Sequence, residues 1–285
     1  MPKIGIAFDR LRSEEKMLQS EAASLGCDTT MIDAKMTQID TESKAADFDF
    51  GDVVLERCVS YFRGLYLTSC LEFLQVPVLN RYEVASRCGN KLIMTLQLQR
   101  CNVPTPRTYL AFSKDSAIEC ISRTGYPLVI KPIVGSWGRG VMPIRDKDTI
   151  DAVIEARELT DSPHDRIYYL QEEVKRPPRD IRVITVGDRA IAAMYRMSSG
   201  DFKTNLAIGG DPHLCEITGE LEDTAAKASQ AAGGGILGID MMEDQSRGLV
   251  VHEVNNTVEF KGLARVARRN IPKEMVEFAI SQAKR

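Results

Sequence analysis

Residues 129–141 read VIKPIVGSWGRGV, an apolar strand that ends in Lys131 and runs into a loop carrying Gly135, Gly138 and Gly140. Glycine reaches positive φ and lets a backbone approach a ligand closely. Successive amide N–H groups of such a loop can therefore converge on phosphate oxygens while the lysine supplies a point charge. The loop lacks the terminal G-K-[ST] of the Walker pattern, and its glycine spacing departs from the dinucleotide fingerprint. Alone, it reads as well as a structural turn. Residues 235–240 (GILGID) and 249–256 (LVVHEVNN) add two strands that deliver Asp240, Glu253 and Asn255. Residues two apart on a strand share a face, and two carboxylates with an amide oxygen form a hard donor set suited to magnesium carried with nucleotide phosphates. A lone carboxylate ending an apolar run is costly to bury, which argues against surface decoration. Residues 168–174 (YYLQEEV) run an apolar strand into two glutamates ahead of Pro177 and Pro178. This is either a hinge whose backbone reads an adenine edge or a strand leaving the core.

Outward from these stretches, the chain alternates strands and helices, the rhythm of a parallel α/β sheet at its start. Strands are expected at 3–8, 29–32, 52–55 and 76–79, with helices over 11–25 and 61–75. One helix fits 83–100 and is stopped by Asn102, Pro104 and Pro106, since proline blocks helix continuation. A small lid follows from Thr108, opening with a strand, then a helix at 114–124, a strand at 127–132, the glycine loop at 135–140, a helix at 147–159 and a strand at 167–171. Strands at 180–186, 189–196, 236–242 and 249–254 and a helix at 222–232 complete the pattern. The expected division is 1–82, an N-terminal α/β domain; 83–171, a linker helix and lid; and 172–285, a C-terminal domain.

The 285 residues suffice for more than one hydrophobic core. Lysine and arginine number 37 against 40 acidic residues, a formal charge of −3, so the overall balance gives no reason to favour nucleic acid. Seven cysteines without a C-x-x-C pair argue against a disulfide framework and a zinc knuckle. The three histidines (His164, His213, His252) are expected at the surface or in packing. A strand-like N-terminus and the lack of a long apolar run point to a cytoplasmic protein without a membrane partner. Charge is polarised: residues 1–82 hold nine basic and thirteen acidic side chains, residues 256–285 seven basic and three acidic.

In order and spacing, Lys91, the IKP strand with its glycine loop, LQEEV, DIRV, GDFKTN, GID and EVN resemble the ATP-grasp superfamily, in the RimK branch of carboxylate–amine ligases, over nearly the full chain. The tryptophan of the loop, the glycines at 233–235 and EVNNTVEFKG (253–262) look most like the LysX and ArgX ligases of amino-group-carrier biosynthesis. The resemblance implies an α/β ATP-grasp fold of three lobes, with ATP between the central and C-terminal ones. It implies that Lys91 and Lys131 reach the phosphates and that Gly135, Ser136, Trp137, Gly138, Arg139 and Gly140 close over them. Gln171, Glu172, Glu173 and Val174 would frame the adenine, with Asp180 and Arg182 nearby. Arg196 and Asn205 would face the γ-phosphate and the reacting carboxylate, with Lys203 carrying a charge that relatives place one residue later. Asp240, Glu253 and Asn255 would hold Mg2+.

The reaction so implied activates a carboxylate as an acyl phosphate, which an amine then attacks, with no enzyme nucleophile. The carboxylate would be the C-terminal glutamate of a small acidic LysW-type carrier protein and the amine that of glutamate or α-aminoadipate, in arginine or lysine biosynthesis. Asn256, Thr257, Glu259, Phe260, Lys261, Gly262, Leu263 and Arg265 are the expected substrate residues. After EFK, relatives specific for aminoadipate carry Asn-Ser/Thr and those specific for glutamate Gly-Phe; Gly262-Leu263 matches neither, so a ligase accepting both is expected. If 263–269 is helical, Arg265, Arg268 and Arg269 share a face that suits an acidic carrier. Other readings are a RimK-type ligase adding glutamate to a ribosomal protein tail or small cofactor, or a silent nucleotide-binding regulator; a homo-oligomer rests on family analogy alone.

Overall fold

The computed structural model describes residues 1–197 and 212–283. Its first sheet contains β1 (Ile4–Phe8), β2 (Thr29–Asp33), β3 (Val53–Glu56) and β4 (Val78–Leu79), all parallel, in the order β2-β1-β3-β4. Alternation along the strands splits their apolar side chains between two cores. Ala7 and Val54 pack with Leu71 of α2 (Tyr61–Phe73), whereas Ile4, Ile6, Val53 and Leu55 pack with Leu18 and Ala22 of α1 (Ser13–Ser24).

The single helix expected over 83–100 is two, α3 (Tyr82–Gly89) and α4 (Lys91–Arg100). Asn90 adopts an extended backbone, and its side chain accepts from the Ile93 amide, making it the cap of α4 rather than a link in one helix. A Cβ on Gly89 would lie 1.9 Å from the Tyr61 ring, so the end of α3 reaches α2 only with glycine there. The break sets Lys91 in the first turn of α4, where its amide donates to the Ile133 carbonyl at 2.8 Å.

The lid sheet is antiparallel: β5 (Thr108–Ala111), β6 (Leu128–Lys131), β7 (Met142–Ile144) and β8 (Tyr168–Glu172), in the order β5-β8-β6-β7. The sequence reading missed β7, a three-residue edge strand that holds Pro143, which an edge tolerates. With α5 (Lys114–Thr124) and α6 (Lys147–Glu158), this sheet encloses a core drawn entirely from residues 111–170, including Ile121, Ile130, Ile144, Ile154 and Tyr168.

The third sheet is antiparallel and is made of β9 (Arg179–Val186), β10 (Arg189–Met197), β11 (Pro212–Leu214), β12 (Ile236–Asp244) and β13 (Gly248–Asn255), in the order β11-β10-β9-β12-β13. On one face, α7 (Gly219–Ala232) packs together with α3 and α4, so Val84, Met94 and Leu98 belong to this sheet's core and not to the lid's. The opposite face meets α8 (Ile271–Gln282), whose Ile271, Met275, Val276 and Ala279 complete a core shared with β1 and β3. The sequence carries the signature of α8, an Asn270 cap with Pro272 in the first turn, which the reading passed over. The helix considered over 263–269 is instead a 3-10 turn at Leu263–Arg265, because Leu263 is drawn into the shared core and the chain turns to reach Asn270. Arg265, Arg268 and Arg269 therefore do not form one helical face.

No helix among the described residues is long and apolar enough to cross a membrane. All seven cysteines are unpaired thiols.

Asn80, after β4, fastens the first sheet to the third. Its Oδ1 accepts from the Ile236 amide at 2.6 Å, and its Nδ2 donates to the Ile236 carbonyl at 2.7 Å and the Asn256 carbonyl at 3.0 Å. Gly235 has φ +104°, and a Cβ there would lie 2.1 Å from Asn80 Oδ1. Asn80→Ala leaves both backbone groups of Ile236 buried without their partners, and the expected loss of unfolding free energy is about 2–3 kcal/mol. Denaturant titration checks it; a loss under about 0.5 kcal/mol would remove Asn80 from this role.

Candidate active site

Two connected clefts meet at the C-terminal sheet. The first lies between that sheet and the lid and is lined by Lys91, Lys131, Arg139, Gln171, Glu172 and Val174, with Val129, Val141 and Met242 among its apolar walls. Lys131 ends β6 and is only 7% exposed. Burial pushes its ammonium down to about 8, with Lys91 adding to the effect and Glu253 opposing it. Its Nζ donates to Gln171 Oε1 at 2.6 Å. Gln171 Nε2 in turn donates to Thr108 Oγ1 and the Tyr169 hydroxyl, each at 3.0 Å. The Gln171 amide thus has protein partners at both ends and props Lys131 in place.

Lys91 Nζ donates to the Gly135 carbonyl at 2.7 Å and lies 3.2 Å from Glu253 Oε1, which ties α4, the glycine loop and β13 together. Glu172 pairs with Arg247 at 2.6 Å and accepts from the Arg107 amide at 2.8 Å. Glu173 lies outside the cleft lining; its Oε1 is 3.4 Å from Arg145.

Beneath the cleft, cross-strand register builds a charged ladder. Asp240 on β12 stands opposite Arg182 on β9 and Glu253 on β13, and Asp180 on β9 stands opposite Arg196 on β10. Arg182 reaches Asp240 with two bonds of 2.7 Å, and Arg196 reaches Asp180 with bonds of 2.7 and 2.8 Å and Asp240 at 3.0 Å. Burial acts to raise the Asp240 pKa, but the charges of Arg182 and Arg196 outweigh it and hold the carboxyl well below the usual carboxylate range. Arg182, expected beside the adenine, instead braces Asp240 and lines the second cleft.

Asn255 Nδ2 lies 3.4 Å from Asp240 Oδ2. Among the described residues, no three His, Cys, Asp or Glu side chains gather closely enough to hold a metal. Asp240, Glu253 and the Asn255 amide oxygen nevertheless supply hard oxygens on two adjacent strands. Such a set fits a cation that brings most of its ligands as phosphate oxygens and water, the usual habit of Mg2+.

The second cleft opens between the first and third sheets and shares Gly135, Gly138, Arg196, Asp240 and Glu253 with the first. Ser136 and Trp137 line this cleft and not the first, while Gly140 lines neither. Asn255, Asn256, Thr257, Glu259, Lys261 and Gly262 form its C-terminal wall. Phe260 and Leu263 are fully buried in the shared core, and Arg265 is exposed away from the lining, so these three stand outside the cleft. Lys203 and Asn205 lie outside the described residues.

Four site contributors escaped the sequence reading. His252 lines the first cleft with its Nε2 buried and unpartnered; burial and then Lys131 push its pKa well below the ordinary value, leaving a neutral ring. Arg176 lines the same cleft. From the first sheet, Arg12 and Glu56 line the second cleft. Glu56 is held above the usual carboxyl range by burial, against the Cys58 amide bond at 2.6 Å. Strand alternation would turn His252 away from Glu253, and the register shift at 252, where Asp240 pairs with Glu253 but Met241 with Val251, is not readable in the sequence; nothing local to Arg12 or Glu56 marks them.

Residues 4–87 match the LysX preATP-grasp domain family, and residues 88–279 match the RimK-like ATP-grasp domain family. The alpha-aminoadipate–LysW ligase LysX of Saccharolobus solfataricus is 38% identical over 274 residues, 96% of this chain and 99% of that one. The glutamate–LysW ligase ArgX of Sulfolobus acidocaldarius is 31% identical over 277 residues, 97% of each. Among solved structures, the RimK domain ATP-grasp protein of Sphaerobacter thermophilus superposes with a TM-score of 0.80 at 21% identity, covering 98% of this chain and 99% of that one. The D-alanine–D-alanine ligase of Bacillus anthracis gives 0.72 at 18% identity, covering 99% and 97%. With a family model matching well over half of its length and full-length relatives above 30% identity, the chain belongs to the RimK-like ATP-grasp family.

Proposed function

We propose that the chain is an ATP-dependent ligase that joins the amino group of α-aminoadipate or glutamate to the C-terminal glutamate of a small acidic LysW-type carrier protein, in lysine and arginine biosynthesis. The observation that carries this reading is the pair of clefts meeting at Arg196, Asp240 and Glu253. A nucleotide in the first can present its terminal phosphate to a carboxylate held in the second. The full-length LysW ligases at 31–38% identity support the choice of acceptor.

In this mechanism Lys91 and Lys131 neutralise the phosphates, and the glycine loop packs over them. A carboxylate oxygen attacks the terminal phosphorus, and ADP leaves. The amine then attacks the acyl carbon of the acyl phosphate, forming the C–N bond as the C–O bond to phosphate breaks and an amine proton is lost. Arg196, fixed by Asp180 and Asp240, holds a guanidinium where charge develops on the transferring group, an effect of position more than of proton transfer. Asp240, Glu253 and Asn255 would hold Mg2+, which supplies further charge neutralisation at the phosphates.

Specificity for the amine follows from Gly262. It lines the second cleft without a side chain, while Leu263 is turned into the core and cannot shorten the pocket. The longer α-aminoadipate and the shorter glutamate are therefore both admitted. One methylene discriminates by about 10–200-fold, so kcat/KM for the two amino acids is expected within that range, read by ADP release and carrier intact mass. A ratio above about a thousand sinks the dual-substrate reading; repeated glutamate increments on one acceptor would point to a tail-modifying ligase.

Lys131 supplies a pH test. Its depressed pKa of about 8 rises when phosphate binds beside it, so nucleotide binding above that pH takes up a proton. The expected nucleotide Kd increases by up to about tenfold per pH unit above 8, and calorimetry in buffers of different ionisation enthalpy shows the uptake. For folding the sign is opposite: between about 8 and the ordinary lysine value of 10.5 the unfolded chain binds more protons, so this group makes stability rise with pH while nucleotide binding weakens. A pH-independent Kd through this window would remove Lys131 from the phosphates.

A further inference from the structure

The glycine loop does not present one face to one ligand. Lys91 anchors its start through the Gly135 carbonyl. Beyond that point, Arg139 lines the first cleft only, and Trp137 lines the second cleft only. The two side chains are in contact, with the Arg139 guanidinium 5.0 Å from the Trp137 ring centroid, a cation–π arrangement. Trp137 also has φ +56°, a left-handed conformation that a bulky residue adopts under strain. Trp137, the chain's single tryptophan, is 45% exposed. A large apolar ring held at a strained backbone position and left open to a cleft has surface that only a cleft occupant can cover. Tyr61, Leu65, Ala85 and Met194 supply apolar surface to the same cleft.

We propose that Trp137 is a positioning residue for the amide-forming half-reaction: its indole shields the acyl phosphate from water and seats the incoming amino acid, while Arg139 links that seat to nucleotide in the neighbouring cleft. This rests on the ligase reading above and assigns the residue to the amine's attack and not to the nucleotide. The chemistry at issue is a partition. The acyl carbon is attacked by the amine, giving amide and phosphate, or by water, giving back the carboxylate with phosphate and a proton, at the cost of one ATP hydrolysed to ADP without product. Excluding water decides between these outcomes without altering the phosphoryl transfer that precedes them.

The test measures amide formed per ADP released, by carrier intact mass and a coupled ADP assay, for the full-length wild type, W137A and W137F with saturating α-aminoadipate. Wild type is expected near one amide per ADP, W137A below about one half, and W137F recovered most of the way, since a phenyl ring restores cover without the indole N–H. W137A holding one amide per ADP, whether or not the KM for ATP rises, overturns the assignment. Loss of all ADP release in W137A overturns it too, by placing the ring in nucleotide binding. Failure of the wild type to form any amide with a competent carrier defeats the ligase reading itself, and this inference with it.

Discussion

The buried Asp240 carboxylate, shared between Arg182 and Arg196, is the contact on which the site depends. Three strands must be in register for it to form, and both clefts open onto it. Removing a single partner from such a buried set leaves an uncompensated charge, a penalty of about 3–5 kcal/mol. The same bonds hold Arg182, Arg196 and Asp240 in place where the two clefts meet.

The parts of the site confined to one strand or one loop were legible in the sequence. VIKPIVGSWGRGV announced a lysine at a strand end and a glycine loop, and GILGID with HEVNN announced paired acidic strands, because period-two alternation and the cost of burying a carboxylate are local properties. What was not legible arises from meetings of distant segments. The second cleft draws Arg12, Glu56, Trp137 and Lys261 from four separate stretches. Gln171 is occupied on both sides by partners that the sequence does not place beside it. Leu263 looked like a selector by its position after Lys261, but the shared core takes it. Asn90 and Asn270 were visible capping signals, each outweighed in the reading by an apolar or basic pattern running past it.

The ordering of helices also differs from the order of the chain. Residues 82–100 precede the lid but pack on the third sheet, and α8, last in the chain, bonds the third sheet to the first through a common apolar core. The first and third sheets thus form one body, to which Asn80 adds a polar lock. The walls of the second cleft that these two sheets supply are therefore fixed relative to each other, and only its side at Val134–Gly138 belongs to the lid.

The lid's core has no member outside residues 111–170. Moving this piece about its two connecting segments, 101–107 and 173–178, would therefore expose none of that core, and among the ties that hold it are the Lys91 ammonium on the Gly135 carbonyl and the Lys91 amide on the Ile133 carbonyl. An arriving phosphate competes for that ammonium. Being charged, phosphate would be the stronger acceptor, so the tie that holds the loop would pass from protein to ligand while the lid's own apolar core stays closed.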